Sequence, residues 1–276
     1  MLSTLSELIE ILTLEEIDRN LFRATHPQNR ERRLYGGQIM AQALMAASLT
    51  VDSTRPVHSL HGYFLRPGDP KTPAIIKVEG LRDGRSFATR RVVVLQHGEA
   101  IFNMDASFQV REQGLSHQAP VSDYISQLAP PAAEQIPDYL YDSAFITWRH
   151  EFRRLQSPSP QPPEQFVWFK ANATHGELAV DNPLLHTCLL VYESDNTLIG
   201  TARLPHRGSF DRERMQVASL DHAMWFHQPV NVSDWLLYAQ DAPSASSGRG
   251  ISRGQIYDQT GQLLASTVQE GLIRLR

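Results

Sequence analysis

The chain has 276 residues, a length that fits one large domain or two small ones. Its hydrophobic share of 41% and charged share of 20% are typical of a globular protein with a sizeable core. The formal net charge of -4 gives no reason to expect nucleic acid or an anionic membrane as partner, although the 26 Lys and Arg residues could still form a local anion site.

Cysteine usage and hydropathy indicate a cytoplasmic protein. The single cysteine, Cys188, excludes an intrachain disulfide and favours a reducing compartment. Its apolar helical context favours a buried small hydrophobe over a catalytic thiol. No apolar run approaches the roughly 18 residues that a membrane span needs. The first residues also lack the basic and apolar regions of a signal peptide, so a cytoplasmic location is expected.

The first part of the chain predicts two helices and a group of strands. Apolar spacing predicts a helix over residues 5–16, and a short strand follows over 20–24. Gly36 and Gly37 precede a segment, 38–48, that is apolar nearly all round, which predicts a helix covered on most sides. The next predicted strands are 58–65, 74–81, 86–96 and 100–110.

Proline then crowds residues 129–131 and 157–163, which predicts an extended linker. The regular pattern restarts after it. Predicted are a strand over 166–171, a helix over 183–194, and further strands over 218–226, 236–242, 251–258 and 262–274. We therefore divide the chain into an N-terminal unit of residues 1–112, a Pro-rich linker of residues 113–164 and a C-terminal unit of residues 165–276.

The two units repeat one another. At an offset of 163, Thr89, Arg90, Gln96 and Gly98 fall on Ser252, Arg253, Gln259 and Gly261. At an offset of 162, the stretch 63–67 falls on 225–229. Such a duplication predicts one fold unit used twice as a pseudo-dimer. Because each unit has a long apolar helix and consecutive antiparallel strands, the predicted fold is α+β, a double hot dog.

Polar residues in the second unit replace apolar ones in the first. Along the closing strand, residues 263, 265, 267 and 269 share one face, and their counterparts 100, 102, 104 and 106 are apolar. Gln269 thus stands where the first unit has Ala106, and Ser219 stands where it has Val57. A buried amide without partners would cost roughly 1–3 kcal/mol, so Gln269 should have one. A bond to a neighbouring backbone carbonyl is the alternative interpretation of Gln269.

Asp195 ends the predicted helix of the second unit. This position exposes a carboxylate to the negative end of the helix dipole, which would make it a better proton acceptor. An acidic residue that merely starts the turn after a helix is the alternative.

Five stretches of the chain resemble the type II acyl-CoA thioesterases, the TesB-like double hot-dog family. They are residues 34–38, 61–69, 81–87, 220–227 and 265–271, in the family's order. The resemblance implies hydrolysis of medium- to long-chain acyl-CoA to fatty acid and CoA without metal or cofactor, in a homodimer or homotetramer. It also implies a catalytic trio of Asp195, Ser219 and Gln269. Ser219 departs from the family, where this hydroxyl residue is commonly Thr.

Other residues are candidates for binding the substrate. Backbone N–H groups near Gly36 and Gly37 could stabilise an oxyanion at the start of a helix. The segment 246–250 resembles an anion-holding loop, so Arg249 and Arg253 could meet CoA phosphates. His222 lies close to Ser219 in sequence and is a further candidate. The histidines do not match a zinc pattern, so no metal site is expected.

Two alternative functions share this fold. A hydratase of acyl thioesters needs a His, Asp or Glu placed for C–H proton transfer, and its motifs are not evident. A non-catalytic acyl-CoA binding or sensing protein would not need the trio. The Gly-x-Ser-x-Gly elbow of serine hydrolases does not occur either. The sequence therefore favours an acyl-CoA thioesterase that activates water.

Overall fold

The computed structural model describes residues 4–26, 33–150, 157–173, 178, 182–209 and 214–275. The helices are α1 (Leu5–Leu12), α2 (Gly36–Leu49), α3 (Asp123–Ser126), α4 (Pro183–Ser194) and α5 (Leu198–Thr201), with 3-10 turns at Ala133–Gln135, Asp138–Asp142 and Leu204–His206. The strands are β1 (Glu15–Asp18), β2 (Leu21–Ala24), β3 (Val57–Phe64), β4 (Ala74–Asp83), β5 (Phe87–Gln96), β6 (Glu99–Gln109), β7 (Phe145–Arg149), β8 (Glu164–Ala171), β9 (Met215–Ser219), β10 (Asp221–Phe226), β11 (Leu236–Ser246), β12 (Arg249–Tyr257) and β13 (Leu263–Leu275).

The strands form one antiparallel sheet. Their order is β1-β2-β4-β5-β6-β3-β10-β13-β12-β11-β8-β7, and β9 pairs with β13 beside this path. The two units join where β3 pairs with β10. Helices α2 and α4 pack against each other, and most of their residues are buried, which explains their nearly uniform apolar composition. This arrangement confirms the predicted α+β double hot dog.

The strand register shows how the two units correspond. Val57 lies opposite Phe108, and Ser219 lies opposite Gly271, which are the same positions of the two sheets. The second unit has one residue more in the turn before its closing strand, because Leu95 pairs with Ala100 but Tyr257 pairs with Leu263. The offset is therefore 162 before that turn and 163 after it.

This extra residue corrects one part of the predicted repeat. Arg90 is buried opposite Ala106, and the second-unit residue at that register position is Ser252, which is buried opposite Gln269. Arg253 lies on the other, exposed face of β12. The predicted matches of Thr89 with Ser252, Arg90 with Arg253 and Gln96 with Gln259 are therefore each wrong by one residue.

The predicted strand over 218–226 is interrupted at Leu220. Ser219 pairs with Gly271, but Ala223 pairs with Val268, so three residues of one strand oppose two of β13. Such a bulge changes which face the following side chains take. In a regular strand, residues 219 and 222 would point to opposite faces. With the bulge, both Ser219 and His222 contact the end of helix α4.

The segment predicted as linker contains secondary structure, and some of its apolar side chains pack on the sheet. Strand β7 and helix α3 both lie in it, and β7 pairs with β8. Val121, Ile125 and Leu128 pack on a second apolar cluster that includes Trp168. Residues 151–156 lie outside the described ranges. The unit boundaries at 112/113 and 164/165 stay a prediction.

Candidate active site

The three residues of the predicted trio come together from three elements. Asp195 caps the C-terminus of α4, Ser219 ends β9, and Gln269 lies on the inner face of β13. The Ser219 hydroxyl donates to Asp195 Oδ1 at 2.9 Å, and the Gln269 amide donates to the same oxygen. The Gln269 amide also donates to Ser219 Oγ at 3.0 Å. A carboxylate, a hydroxyl and an amide thus form one closed hydrogen-bonded group.

The second oxygen of Asp195 contacts the other unit. Its Oδ2 accepts a hydrogen bond of 3.0 Å from the Gly37 backbone N–H in the first turn of α2. Only 6% of Asp195 is exposed, so this contact is shielded from solvent. A helix N-terminus stabilises a negative charge, which offsets the unfavourable C-terminus of α4. The carboxylate therefore lies between two helix ends of opposite polarity.

Glycine at positions 36 and 37 permits this close approach. A Cβ at residue 37 would lie 2.2 Å from the Tyr192 carbonyl oxygen. A Cβ at residue 36 would lie 2.8 Å from Asp195 Oδ2 and 2.9 Å from the Phe64 ring. Both glycines therefore allow the start of α2 to approach the Asp195 carboxylate closely.

His222 lies behind the carboxylate. It is fully buried, and its Nε2 is 3.1 Å from Ser194 Oγ. Since Ser194 Oγ donates to the Val191 carbonyl at 2.8 Å, Nε2 is assigned as the donor to Ser194. Burial lowers the pKa of His222 to about 4, so its imidazole is neutral at physiological pH. His222 therefore binds Ser194, the residue next to Asp195, and is itself shielded from solvent.

Glu193 forms a buried hydrogen-bonded group with Thr147 and Asn196, which the sequence analysis did not identify. Its Oε1 accepts hydrogen bonds of 2.8 Å from Thr147 Oγ1 and from Asn196 Nδ2. Glu193 is 2% exposed, and burial raises its pKa to about 7. Glu193 therefore fixes the turn that carries Asp195. A Glu inside an apolar helix, two residues before a candidate base, was the signal in the sequence.

Arg249 and Arg253 are not brought to the trio. Arg249 pairs with Glu270 at 2.8 Å, and Arg253 pairs with Asp241 at 2.5 Å, all with half-exposed side chains. Residues 247 and 248 have φ values of 50° and 73° and form the tight turn between β11 and β12. The segment predicted as an anion-holding loop is thus the end of a hairpin, and its arginines already have acidic partners.

The fold and the buried carboxylate–hydroxyl–amide group define a double hot-dog protein with a site suited to activating water. Within the described residues, no cluster of His, Cys, Asp and Glu is arranged to hold a metal ion. Within the same ranges, no helix has the length and apolar character needed to cross a membrane.

Comparisons with known proteins agree with this class. Residues 149–272 match the family model for acyl-CoA thioesterase, and residues 25–109 match that for the acyl-CoA thioesterase N-terminal domain. The chain is 40% identical to acyl-CoA thioesterase 2 of Haemophilus influenzae over 99% of each chain. It superposes on the crystal structure of acyl-CoA thioesterase II TesB2 of Mycobacterium marinum with a TM-score of 0.82, 42% identity and 98% and 97% coverage of the two chains.

A more distant structure shares the fold. A protein of unknown function with a hot dog fold from Alicyclobacillus acidocaldarius superposes with a TM-score of 0.75 at 18% identity, over 98% of each chain. The chain belongs to the acyl-CoA thioesterase family and is a thioester hydrolase. These matches do not favour the binding-protein or the hydratase alternative.

Proposed function

We propose that this protein hydrolyses medium- to long-chain fatty acyl-CoA to free fatty acid and CoA, and that Asp195 activates the attacking water. The observation that supports this most is the contact of one Asp195 oxygen with both the Ser219 hydroxyl and the Gln269 amide. A carboxylate with a donor on either side can accept a proton from a water that the same two side chains hold.

The reaction proceeds by addition of water to the thioester carbonyl. Ser219 Oγ and the Gln269 amide orient the water, and Asp195 takes its proton as the C–O bond forms. The tetrahedral intermediate then expels the thiolate of CoA, which receives the proton back from Asp195. No covalent intermediate with the protein is needed.

Backbone N–H groups at the start of α2 stabilise the oxyanion in this proposal. The first N–H groups of a helix have no partner within the helix. The Gly37 N–H is already used by Asp195, so the neighbouring N–H groups of this turn, at Gly36 and Gln38, are the candidates. The oxyanion and the general base would then share one helix end.

The test is release of free thiol from a saturated acyl-CoA series, from butyryl to stearoyl, by the wild type and Asp195→Asn. We expect turnover to peak within the medium to long chains and to fall by at least about a thousandfold in the variant. Asn fits the same space, so the circular dichroism spectrum should not change. Near-normal turnover by Asp195→Asn would remove Asp195 as the base, and binding of acyl-CoA without thiol release would indicate a carrier.

The proposal includes a homodimer or homotetramer in the cytoplasm. The outer face of the sheet supports it, because Tyr63 is 58% exposed at the centre, where β3 and β10 join, and Trp225 lies nearby against His61. Aromatic side chains are enriched at protein interfaces. Light scattering after size exclusion gives the oligomeric state, and a monomer would contradict this part. Fractionation of cells tests the location.

A further inference from the structure

A fully buried tyrosine, Tyr238 of β11, contacts the end of the helix that Asp195 caps. Its hydroxyl donates a hydrogen bond of 3.1 Å to the backbone carbonyl of Ser194, the last residue of α4. The last four carbonyls of a helix have no partner within it, so a donor from outside stabilises this helix end. Tyr238 is thus bonded to the peptide group that leads into Asp195.

Thr267 of β13 extends this contact into a chain of hydrogen bonds. Its Oγ1 lies 2.8 Å from the Tyr238 hydroxyl. Because Tyr238 has one proton and gives it to the Ser194 carbonyl, Thr267 is assigned as the donor to Tyr238. The Gly254 carbonyl, at 3.5 Å from Thr267 Oγ1, is the weaker acceptor. Burial raises the pKa of Tyr238 above its usual range, so the phenol keeps its proton at physiological pH and remains a donor.

The first unit shows that the fold does not require these polar groups. In the strand register, the positions of Tyr238, Gly254 and Thr267 correspond there to three buried apolar residues: Ile76, Val92 and Met104. Glycine at position 254 makes room for the tyrosine, because a Cβ there would overlap the Tyr238 ring. Burial of a hydroxyl costs free energy unless the hydroxyl is hydrogen-bonded. Three coordinated differences at one helix end therefore indicate a specific role for this chain of bonds.

The role follows from what the end of α4 carries. Ser194 is held at a second atom by His222, whose Nε2 is 3.1 Å from Ser194 Oγ. Asp195 comes next in the chain, and its Oδ1 contacts both Ser219 and Gln269. A rotation of the peptide group between Ser194 and Asp195 would turn the carboxylate away from both. A displacement of about 1 Å in a catalytic group can cost about a hundredfold in rate.

We propose that Tyr238 and Thr267 are positioning residues, which hold the Ser194 carbonyl so that the Asp195 carboxylate keeps its contacts with Ser219 and Gln269. The inference rests on the proposed function and adds two residues to it. Both hydroxyls act through the backbone at the end of α4 and take no part in the transfer of protons to or from the substrate.

Steady-state thiol release tests both hydroxyls. Tyr238→Phe removes one donor and retains the ring, so kcat should fall about tenfold while KM stays within about twofold. Thr267→Val should lower kcat about threefold, and Thr267→Ser, which retains the hydroxyl, should restore it. Because the two hydroxyls act in one chain, the double variant should lose no more than Tyr238→Phe alone. Tyr257→Phe is the matched control, since its hydroxyl is bound to Gln255 and its ring packs in the second apolar cluster, and its kcat should not change.

Two further measurements separate positioning from a general structural effect. In the Asp195→Asn background, Tyr238→Phe should leave the residual turnover unchanged, because no base remains to be positioned. Amide hydrogen exchange at residues 194–197, measured without acyl-CoA, should be faster in Tyr238→Phe than in the wild type and in Tyr257→Phe.

The outcomes distinguish this inference from the proposed function. Near-normal turnover by Asp195→Asn would contradict the proposed function, and this inference with it. If Asp195→Asn is inactive, the inference alone is overturned by unchanged exchange at the end of α4, by an unchanged kcat of Tyr238→Phe, or by an equal loss in the Asp195→Asn background. The comparison of Thr267→Val with Thr267→Ser keeps the test decisive if Tyr238→Phe fails to fold.

Discussion

The Gly37 backbone N–H and the Asp195 carboxylate are joined by a hydrogen bond of 3.0 Å, although they lie in different units of the chain. The general base proposed for the second unit is therefore complete only when the helix of the first unit packs beside it. The second unit supplies all three side chains of the trio, and the first unit supplies the backbone N–H that binds the other Asp195 oxygen.

The first unit has apolar side chains at the positions that correspond to Ser219 and Gln269. Val57 and Ala106 stand at the register positions of Ser219 and Gln269. Arg90 stands at the register position of Ser252. Its guanidinium donates hydrogen bonds to the side-chain oxygen and to the backbone carbonyl of Thr50, the residue that caps the C-terminus of α2. The carboxylate–hydroxyl–amide group thus occurs in the second unit, and Arg90 stands at the matching position of the first.

The first prediction concerns the close packing of α2 on α4. In Gly37→Ala the new methyl group would lie 2.2 Å from the Tyr192 carbonyl, so the two helices must move apart. We expect a loss of unfolding free energy of about 2 kcal/mol, as for overpacked cores, together with a large fall in kcat. Urea unfolding and thiol release measure the two effects.

Gly114→Ala is the control for this prediction, because nothing lies within 4 Å of the position where its methyl group would be. It should leave stability and turnover unchanged. Gly36→Ala places its methyl group 2.8 Å from Asp195 Oδ2, so it should reduce kcat as well. Full activity in both Gly36→Ala and Gly37→Ala would show that the approach of α2 to Asp195 is not needed.

A second prediction separates the hydroxyl of Ser219 from its size. Ser219→Ala removes a donor to Asp195 Oδ1 and an acceptor for Gln269, so kcat should fall about a hundredfold. Ser219→Thr retains the hydroxyl and restricts its rotamer, so it should stay within about threefold of the wild type. Thiol release under saturating acyl-CoA measures both. Equal losses in Ala and Thr would show that space, not the hydroxyl, matters at this position.

The sequence predicts the trio because two independent signals coincide there. Gln269 and Ser219 replace apolar residues of the first unit. Gln269 lies within a stretch that resembles the thioesterases, and Ser219 lies directly before another. It cannot predict the bulge at Leu220, since one additional residue in a strand leaves no distinct pattern. The additional residue in the turn before β13 is equally invisible in the sequence, so the predicted alignment of Arg90 with the second unit is shifted by one residue. The Glu193 group was missed because Thr147 comes from a distant strand that was interpreted as linker.

A third prediction follows from the burial of Cys188. The residue is fully buried in α4, and burial raises the pKa of its thiol well above the usual range. The thiolate is the reactive form, so alkylating reagents should not inactivate the folded protein at neutral pH. Turnover after incubation with iodoacetamide, with and without urea, is the measurement. Rapid inactivation without denaturant would show that α4 opens readily or that the thiol takes part in the reaction.

The last prediction concerns Glu193 and the pH dependence of stability. Its pKa is about 7 in the folded protein and near 4.5 when unfolded, so the folded state holds a proton that the unfolded state has lost between these values. Its contribution to the free energy of unfolding is therefore fully present below pH 4.5 and falls as pH rises to about 7. The difference is on the order of 3 kcal/mol.

His222 acts in the opposite direction, because burial lowers its pKa to about 4, and stability is lost as pH falls from 6.5 toward that value. The two effects overlap, so the profile of the wild type alone cannot separate them. Glu193→Gln keeps an acceptor for Thr147 and Asn196 but does not titrate. Relative to the wild type, its free energy of unfolding in urea should therefore rise on the order of 3 kcal/mol between pH 5 and pH 8. Glu134→Gln, at an exposed position, should show no such change. Parallel profiles of Glu193→Gln and the wild type would mean that Glu193 is ionised throughout this range, with Arg149 close enough to keep it so.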